Sequence, residues 1–145
     1  MMTEPIEILI VDDDADAVDL PLRALRAHNV ADRVAVARDG VEALDYLLPN
    51  DPADAPSSGE LRLVLLDLKM PRVGGLEVLA RLKASERTMG IPVVVLTSSG
   101  EERDLAASYG LGANSYIVKP VDFQQFVATV GAVGMYWLRL NQVPS

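Results

Sequence analysis

Four short polar segments of this sequence carry side chains able to act on an anion. Asp12-Asp13-Asp14 follows Ile8 to Val11, Asp67 follows Leu63 to Leu66, Thr97-Ser98-Ser99 follows Val93 to Leu96, and Lys119 follows Ser115 to Val118. Carboxylates a few ångströms apart repel by roughly 4 kcal/mol per pair at an effective dielectric near 20, a cost that persists only if a cation relieves it. Hard oxygen ligands with open positions suit Mg²⁺, which keeps several waters and bridges carboxylates to a phosphate. Lys119 offers a compact positive charge to a phosphoryl oxygen, and Thr97 a short hydroxyl donor. These parts describe a site for a phosphoryl group beside Mg²⁺, where positioning and charge neutralisation carry the chemistry. Taken singly, each has a plainer reading. An acidic run before a helix caps it and complements its dipole, which is the role expected of Asp14, Asp16 and Asp19; a Thr ends many strands; Lys-Pro is an ordinary turn. Joint placement at four strand ends is what separates the two readings.

The elements that must position these groups follow from hydrophobic periodicity. Ile6 to Val11 reads as a strand and Val18, Leu22, Leu25 and Arg26 recur at helical spacing; Arg33 to Ala37 reads as a second strand. Asp39 can cap a helix bearing Val41, Leu44, Tyr46, Leu47 and Leu48. The alternation repeats through Leu63 to Leu66 with Leu76, Val78, Leu79 and Leu82, through Val93 to Leu96 with Glu101 to Tyr109, and through Ser115 to Val118 with a last helix over Phe123 to Leu140. Five strand-then-helix units make an α/β domain with a parallel sheet, because parallel strands need crossovers. Ligands of such sheets bind beyond the carboxyl ends of the strands, where all four polar segments fall. Pro49 to Glu60 fits neither period and reads as a mobile loop.

Composition removes several classes of function. The chain has 145 residues, half of them apolar, enough for one filled core. Thirteen Lys and Arg against 21 Asp and Glu give a net charge of −8, which repels nucleic acid and anionic lipid. There is no Cys, and His28 is the only His, so thiol chemistry, Cys/His zinc sites and His-based triads lack parts. The longest uncharged stretch, Phe123 to Leu138, spans 16 residues with two Gln, too short and polar for a membrane span. Met1 to Pro5 lacks the basic flank and cleavage site of a signal peptide, so a cytoplasmic location is expected.

The residues resemble the receiver domains of two-component response regulators. Ile8-Leu9-Ile10-Val11-Asp12-Asp13 resembles the acidic-pair strand of that family, and Leu65-Leu66-Asp67-Leu68-Lys69-Met70-Pro71-Arg72-Val73-Gly74-Gly75 its phosphoacceptor segment. Val93-Val94-Val95-Leu96-Thr97-Ser98 and Tyr116-Ile117-Val118-Lys119-Pro120 resemble its two remaining functional strand ends. The intervals, 30 residues from Asp67 to Thr97 and 22 from Thr97 to Lys119, fit as well. The resemblance implies a flavodoxin-like, doubly wound, five-stranded parallel sheet of order 2-1-3-4-5 with five helices, formed by residues 1–145 as a single receiver domain. It implies that Asp67 accepts a phosphoryl group from a phosphohistidine of a sensor histidine kinase. Mg²⁺ is then held by Asp13, Asp67 and the backbone carbonyl of Lys69, with Asp12 acting through water. Lys119 pairs with the phosphoryl group, Thr97 and the backbone N–H of Ser98 bond it, and Tyr116 swings inward behind Thr97 as the switch. A cis Lys119–Pro120 bond is also implied. Lys69 and Gly74 depart from the smaller polar or acidic residues often found there. Lys69 could contact the phosphoryl group or obstruct attacking water, and Ser99 borders the same path, so both bear on phosphoryl lifetime.

Ser108 to Phe123, the tail Tyr136-Trp137-Leu138-Arg139-Leu140-Asn141 and the long loop before the third strand resemble the single-domain regulators paired with bacterial and cyanobacterial phytochromes. A light-controlled kinase is the partner that this resemblance implies. The sequence ends about one turn past the last helix, so output is expected through surface contacts. The last helix carries more apolar residues than one buried stripe can hold. Tyr136 is expected at an interface, Trp137 reads equally as a core cap or an interface residue, and a homodimer through helix four, strand five and helix five is the family's implied arrangement. The chain is expected to promote only its own phosphorylation and dephosphorylation. Two alternatives are an aspartyl-phosphate phosphatase or phosphotransferase, for which Asp12 and Asp14 have suitable spacing, and a pseudo-receiver that binds partners without phosphate. Flavin binding fits the architecture, but the acidic segment after the first strand would repel its phosphate.

Overall fold

The computed structural model describes residues 6–27, 33–56, 60–70 and 72–142. Met1 to Pro5, His28, residues 57–59 of the polar loop and Pro71 lie outside the described residues. Five strands, β1 (Ile8–Val11), β2 (Val34–Ala37), β3 (Leu63–Leu66), β4 (Val93–Thr97) and β5 (Ser115–Val118), alternate with α1 (Ala15–Ala27), α2 (Gly40–Leu47), α3 (Gly75–Ala84), α4 (Glu102–Gly110) and α5 (Phe123–Met135). All strand pairs are parallel, in the order β2-β1-β3-β4-β5. This is the doubly wound, flavodoxin-like arrangement expected from the sequence.

Successive side chains of a strand point to opposite faces, and both faces of β1, β3 and β4 are covered. Leu9, Val11, Val64, Leu66, Val93 and Val95 pack with Ala43 and Leu47 of α2 and Val78, Leu79 and Leu82 of α3. Their neighbours Ile8, Ile10, Leu63, Leu65, Val94 and Leu96 pack with Val18, Ala24 and Leu25 of α1 and Phe126 and Val130 of α5. Two-sided burial is why these strands read as unbroken apolar runs. In α1 the buried stripe is Val18, Pro21, Ala24 and Leu25, whereas Leu22 is half-buried and Arg26 exposed. Asp39 caps α2 by accepting the Glu42 N–H at 2.8 Å.

Three local expectations are corrected. Among the described residues, the polar loop contains one 3₁₀ turn, Pro52–Asp54, capped by the Asp51 side chain. The last helix ends at Met135 and continues as one wider turn, Tyr136–Leu140, closed by the Asn141 N–H donating to the Tyr136 carbonyl at 2.6 Å. This widening buries Leu138 and packs Trp137 on the α1–α5 side of the core, while Tyr136 stays exposed and meets Trp137 edge-on. Peptide bonds among the described residues are trans, Lys119–Pro120 included, the isomer that an X–Pro bond favours by about 0.5–1 kcal/mol. Among the described residues, no helix is long and apolar enough to cross a membrane.

The start of α3 is tied to β3 by a close approach. A methyl group on Gly75 would overlap the Asp67 carbonyl oxygen and the Leu68 backbone, and the Gly75 N–H donates to the Leu68 carbonyl at 3.1 Å. Gly75→Ala is therefore expected to cost roughly 1–3 kcal/mol, the usual range for overpacking. The check is a lower midpoint of denaturant unfolding at unchanged slope.

Candidate functional site

Strand order reverses at β1, whose neighbours β2 and β3 lie on either side, and the crevice opens past the carboxyl ends of β1 and β3. Val11 pairs with Leu66, so the next residues, Asp12 and Asp67, stand side by side, with the Asp67 N–H donating to the Val11 carbonyl at 3.0 Å. Asp12 is only 5% exposed. Its Oδ1 accepts the Asp14 N–H at 3.0 Å and its Oδ2 accepts from Lys119 Nζ at 3.0 Å. Lys119 Nζ also lies 3.8 Å from Asp67 Oδ2, with both side chains largely buried. The ammonium arrives from the end of β5, where the Lys119 N–H donates to the Thr97 carbonyl at 2.8 Å. Asp12, Asp13 and Asp67 each bring a carboxylate oxygen within 4.8 Å of the others. One ammonium cannot neutralise three carboxylates, and an all-oxygen donor set with an exposed member fits a divalent cation.

Thr97 is fully buried at the end of β4, and its Oγ1 accepts the Ser99 N–H at 3.4 Å. Ser98 is exposed. Tyr116 of β5 donates its hydroxyl to the Ser99 carbonyl at 2.7 Å. The Lys69 N–H donates to Asp67 Oδ1 at 3.5 Å, but its side chain turns towards α4, where Nζ lies 3.4 Å from Asp104 Oδ2. The same carboxylate oxygen accepts the Ser99 hydroxyl at 2.5 Å. Asp14 caps α1, accepting the N–H groups of Asp16 and Ala17. Arg72, at a positive φ of 64°, forms an ion pair with the α2 cap Asp39, tying the segment after Asp67 to the neighbouring helix.

The sequence profile of the response regulator receiver domain matches residues 8–131. This chain belongs to that family. The receiver is 40% identical over 141 residues to the probable methanogenesis regulatory protein FilR2 of Methanothrix harundinacea, covering 97% of this chain and 89% of that protein. It is similar to the crystal structure of the Mn²⁺-bound form of response regulator Rcp1, a Synechocystis protein, at 32% identity and TM-score 0.85, covering 97% of this chain and 100% of that one. It is also similar to the phosphorylated cyanobacterial phytochrome response regulator RcpA, at 35% identity and TM-score 0.85, covering 97% and 99% of the two chains.

The receiver fold brings Asp12, Asp13, Asp67 and Lys119 into one crevice and sets Thr97, Ser98 and Tyr116 along its β4 and β5 side. Sequence reasoning missed Asp104. An acidic residue in the first turn of a helix looks like any other complement to the helix dipole, and no motif marks it. Its carboxyl is held below the usual carboxylate range by the Ser99 hydroxyl, opposed by burial and assisted by the charge and hydrogen bond of Lys69. The folded state thus binds this proton less tightly than the unfolded chain. The resulting stability is complete above the unfolded value near pH 3.9 and is lost as pH falls through the lower folded value. Asp104→Asn is expected to flatten the acid limb of stability below about pH 4, checked by denaturant titrations across that range.

Proposed function

We propose that this response regulator works by reversible phosphorylation of Asp67. The observation that carries the reading is the convergence of Asp12, Asp13 and Asp67 on the Lys119 ammonium. An Asp67 carboxylate oxygen attacks the phosphorus of a kinase phosphohistidine; the N–P bond breaks, an O–P bond forms, and imidazole leaves. Later a water attacks the same phosphorus, restoring the carboxylate and releasing inorganic phosphate. Mg²⁺ would be held by Asp13, Asp67 and the Lys69 carbonyl, with Asp12 acting through water, and would supply neutralising charge to the phosphoryl oxygens. Lys119 orients the phosphoryl group through one oxygen, the Thr97 hydroxyl and Ser98 N–H donate to others, and Tyr116 passes the change to the surface. Phosphorylation replaces the single charge of the carboxylate with a group of about 1.5 to 2 negative charges and strong acceptors at one point, enough to bias an element with two arrangements.

Residues 1–145 act in this reading as a single receiver domain in the cytoplasm, with no catalysis beyond the domain's own phosphoryl cycle. The upstream partner is a sensor histidine kinase of the phytochrome class, supported by the likeness to RcpA. Exposed Tyr109, Leu111, Val118 and Phe123 support a homodimer through α4, β5 and α5. Sedimentation at micromolar concentration is expected to show the dimer; a monomer with and without a phosphoryl mimic overturns that part. The decisive test is incubation with Mg²⁺ and acetyl phosphate, read by intact mass. One labile phosphoryl group is expected on the wild type and none on Asp67→Asn. Equal labelling of the two, or none of the wild type, defeats the reading.

A further inference from the structure

The α4 helix is held to the domain unlike its neighbours. None of its residues joins either apolar cluster, and the residues it buries are Asp104 and Ser108. The Ser108 hydroxyl, fully buried, has no hydrogen-bond partner among the described residues. The polar anchor of α4 is therefore Asp104, which is gripped by the Ser99 hydroxyl at 2.5 Å and the Lys69 ammonium at 3.4 Å. Ser99 in turn accepts the Tyr116 hydroxyl through its carbonyl at 2.7 Å. Lys69 stands two residues beyond Asp67 and already donates its N–H to that carboxylate.

We propose that Lys69 is an exchange cation, held by Asp104 while Asp67 is unmodified and drawn off by a phosphoryl group on Asp67, so that the polar anchor of α4 loses its cation and keeps only the Ser99 hydroxyl. This rests on the reading of Asp67 as phosphoacceptor. The physical reason is charge. Asp104 presents one negative charge to the ammonium, whereas a phosphoryl group on Asp67 presents about 1.5 to 2 where the bare carboxylate presented one. The Lys69 side chain is 61% exposed, so no packing holds it on either anion. A helix fixed by one polar junction instead of an apolar face lies at the low-stability end of the fold, from which moving elements are drawn. Asp104 and Ser99 are thus positioning residues that act through Lys69. Linkage requires reciprocity: if phosphorylation loosens α4, releasing Lys69 from α4 must favour the phosphorylated state.

Amide hydrogen exchange of residues 102–110, with Mg²⁺ and with or without beryllium fluoride as the phosphoryl mimic, tests this. In the wild type, exchange is expected to quicken on the order of fivefold when the mimic binds, the low end of typical coupling. Lys69→Gln should exchange at the faster rate in both states, and Lys69→Arg should restore the wild-type response. Asp104→Asn should loosen α4 and also tighten mimic binding on the order of fivefold, an effect that loss of a merely structural contact would not produce. Lys69→Gln exchanging like the wild type in both states, or Asp104→Asn with unchanged mimic affinity, overturns the inference. The intact-mass assay separates the two levels. A wild type that takes up no phosphoryl group removes both readings, whereas one that is phosphorylated but has an indifferent α4 removes this one alone.

Discussion

Lys119→Met is expected to slow phosphorylation of Asp67 by acetyl phosphate by about 10²–10³, the usual cost of removing one preorganised charge-stabilising donor. The side chain is 17% exposed and its ammonium lies against both Asp12 and Asp67, and among the described residues no second ammonium is paired with either carboxylate. The same substitution strands Asp12, which is nearly buried and whose Oδ2 takes its hydrogen bond from Lys119. Removing one partner of a buried pair typically costs about 3–5 kcal/mol, so the variant should unfold at markedly lower denaturant in EDTA. Saturating Mg²⁺ should return part of that stability, because a ligand that binds only the folded state adds about 2.7 kcal/mol at a hundred times its dissociation constant. Rates from intact mass and unfolding midpoints with and without Mg²⁺ check both halves. Lys119→Arg is not expected to rescue, because a planar fork does not replace a compact ammonium in so narrow a crevice.

Asp67→Asn is expected to abolish the labile phosphoryl group and yet make the metal-free protein more stable. Asp12, Asp13 and Asp67 hold carboxylate oxygens within 4.8 Å of one another with one ammonium among them. Each surplus pair at such range costs on the order of 4 kcal/mol at an effective dielectric near 20. Removing one charge should recover about 1–3 kcal/mol after the remaining groups and solvent readjust. The amide keeps the shape and still accepts the Lys69 N–H. Mg²⁺ should stabilise the wild type more than the variant, so the two melting curves should converge as Mg²⁺ rises. A variant no more stable than the wild type in EDTA would show that the crevice stores no electrostatic strain. The site would then have little need of a divalent ion.

What was legible in the sequence follows from which interactions are local or two-sided. Ile8 to Val11, Leu63 to Leu66 and Val93 to Leu96 are apolar at every position because helices cover both faces of the sheet. The first polar residue after each run therefore marks a strand end, and Asp12, Asp67 and Thr97 could be read directly. Lys119 was legible as the polar residue that ends the Tyr116-Ile117-Val118 run, although β5 is only half-buried. The last helix misled: an apolar-rich stretch through Leu140 carries no mark of the wider turn at Tyr136, where Trp137 and Leu138 pack on the core.

By itself the sequence determined the element order, the parallel α/β class and the set of charged groups at the strand ends, because strand burial and helix periodicity are written in residue type at short range. Only the tertiary structure decided how those charges are shared: that Lys119 sits closer to Asp12 than to Asp67, and that Lys69 turns away to Asp104. Such pairings join residues 107 and 35 positions apart in the chain. Their choice of partner depends on distances across the crevice, which no local pattern encodes.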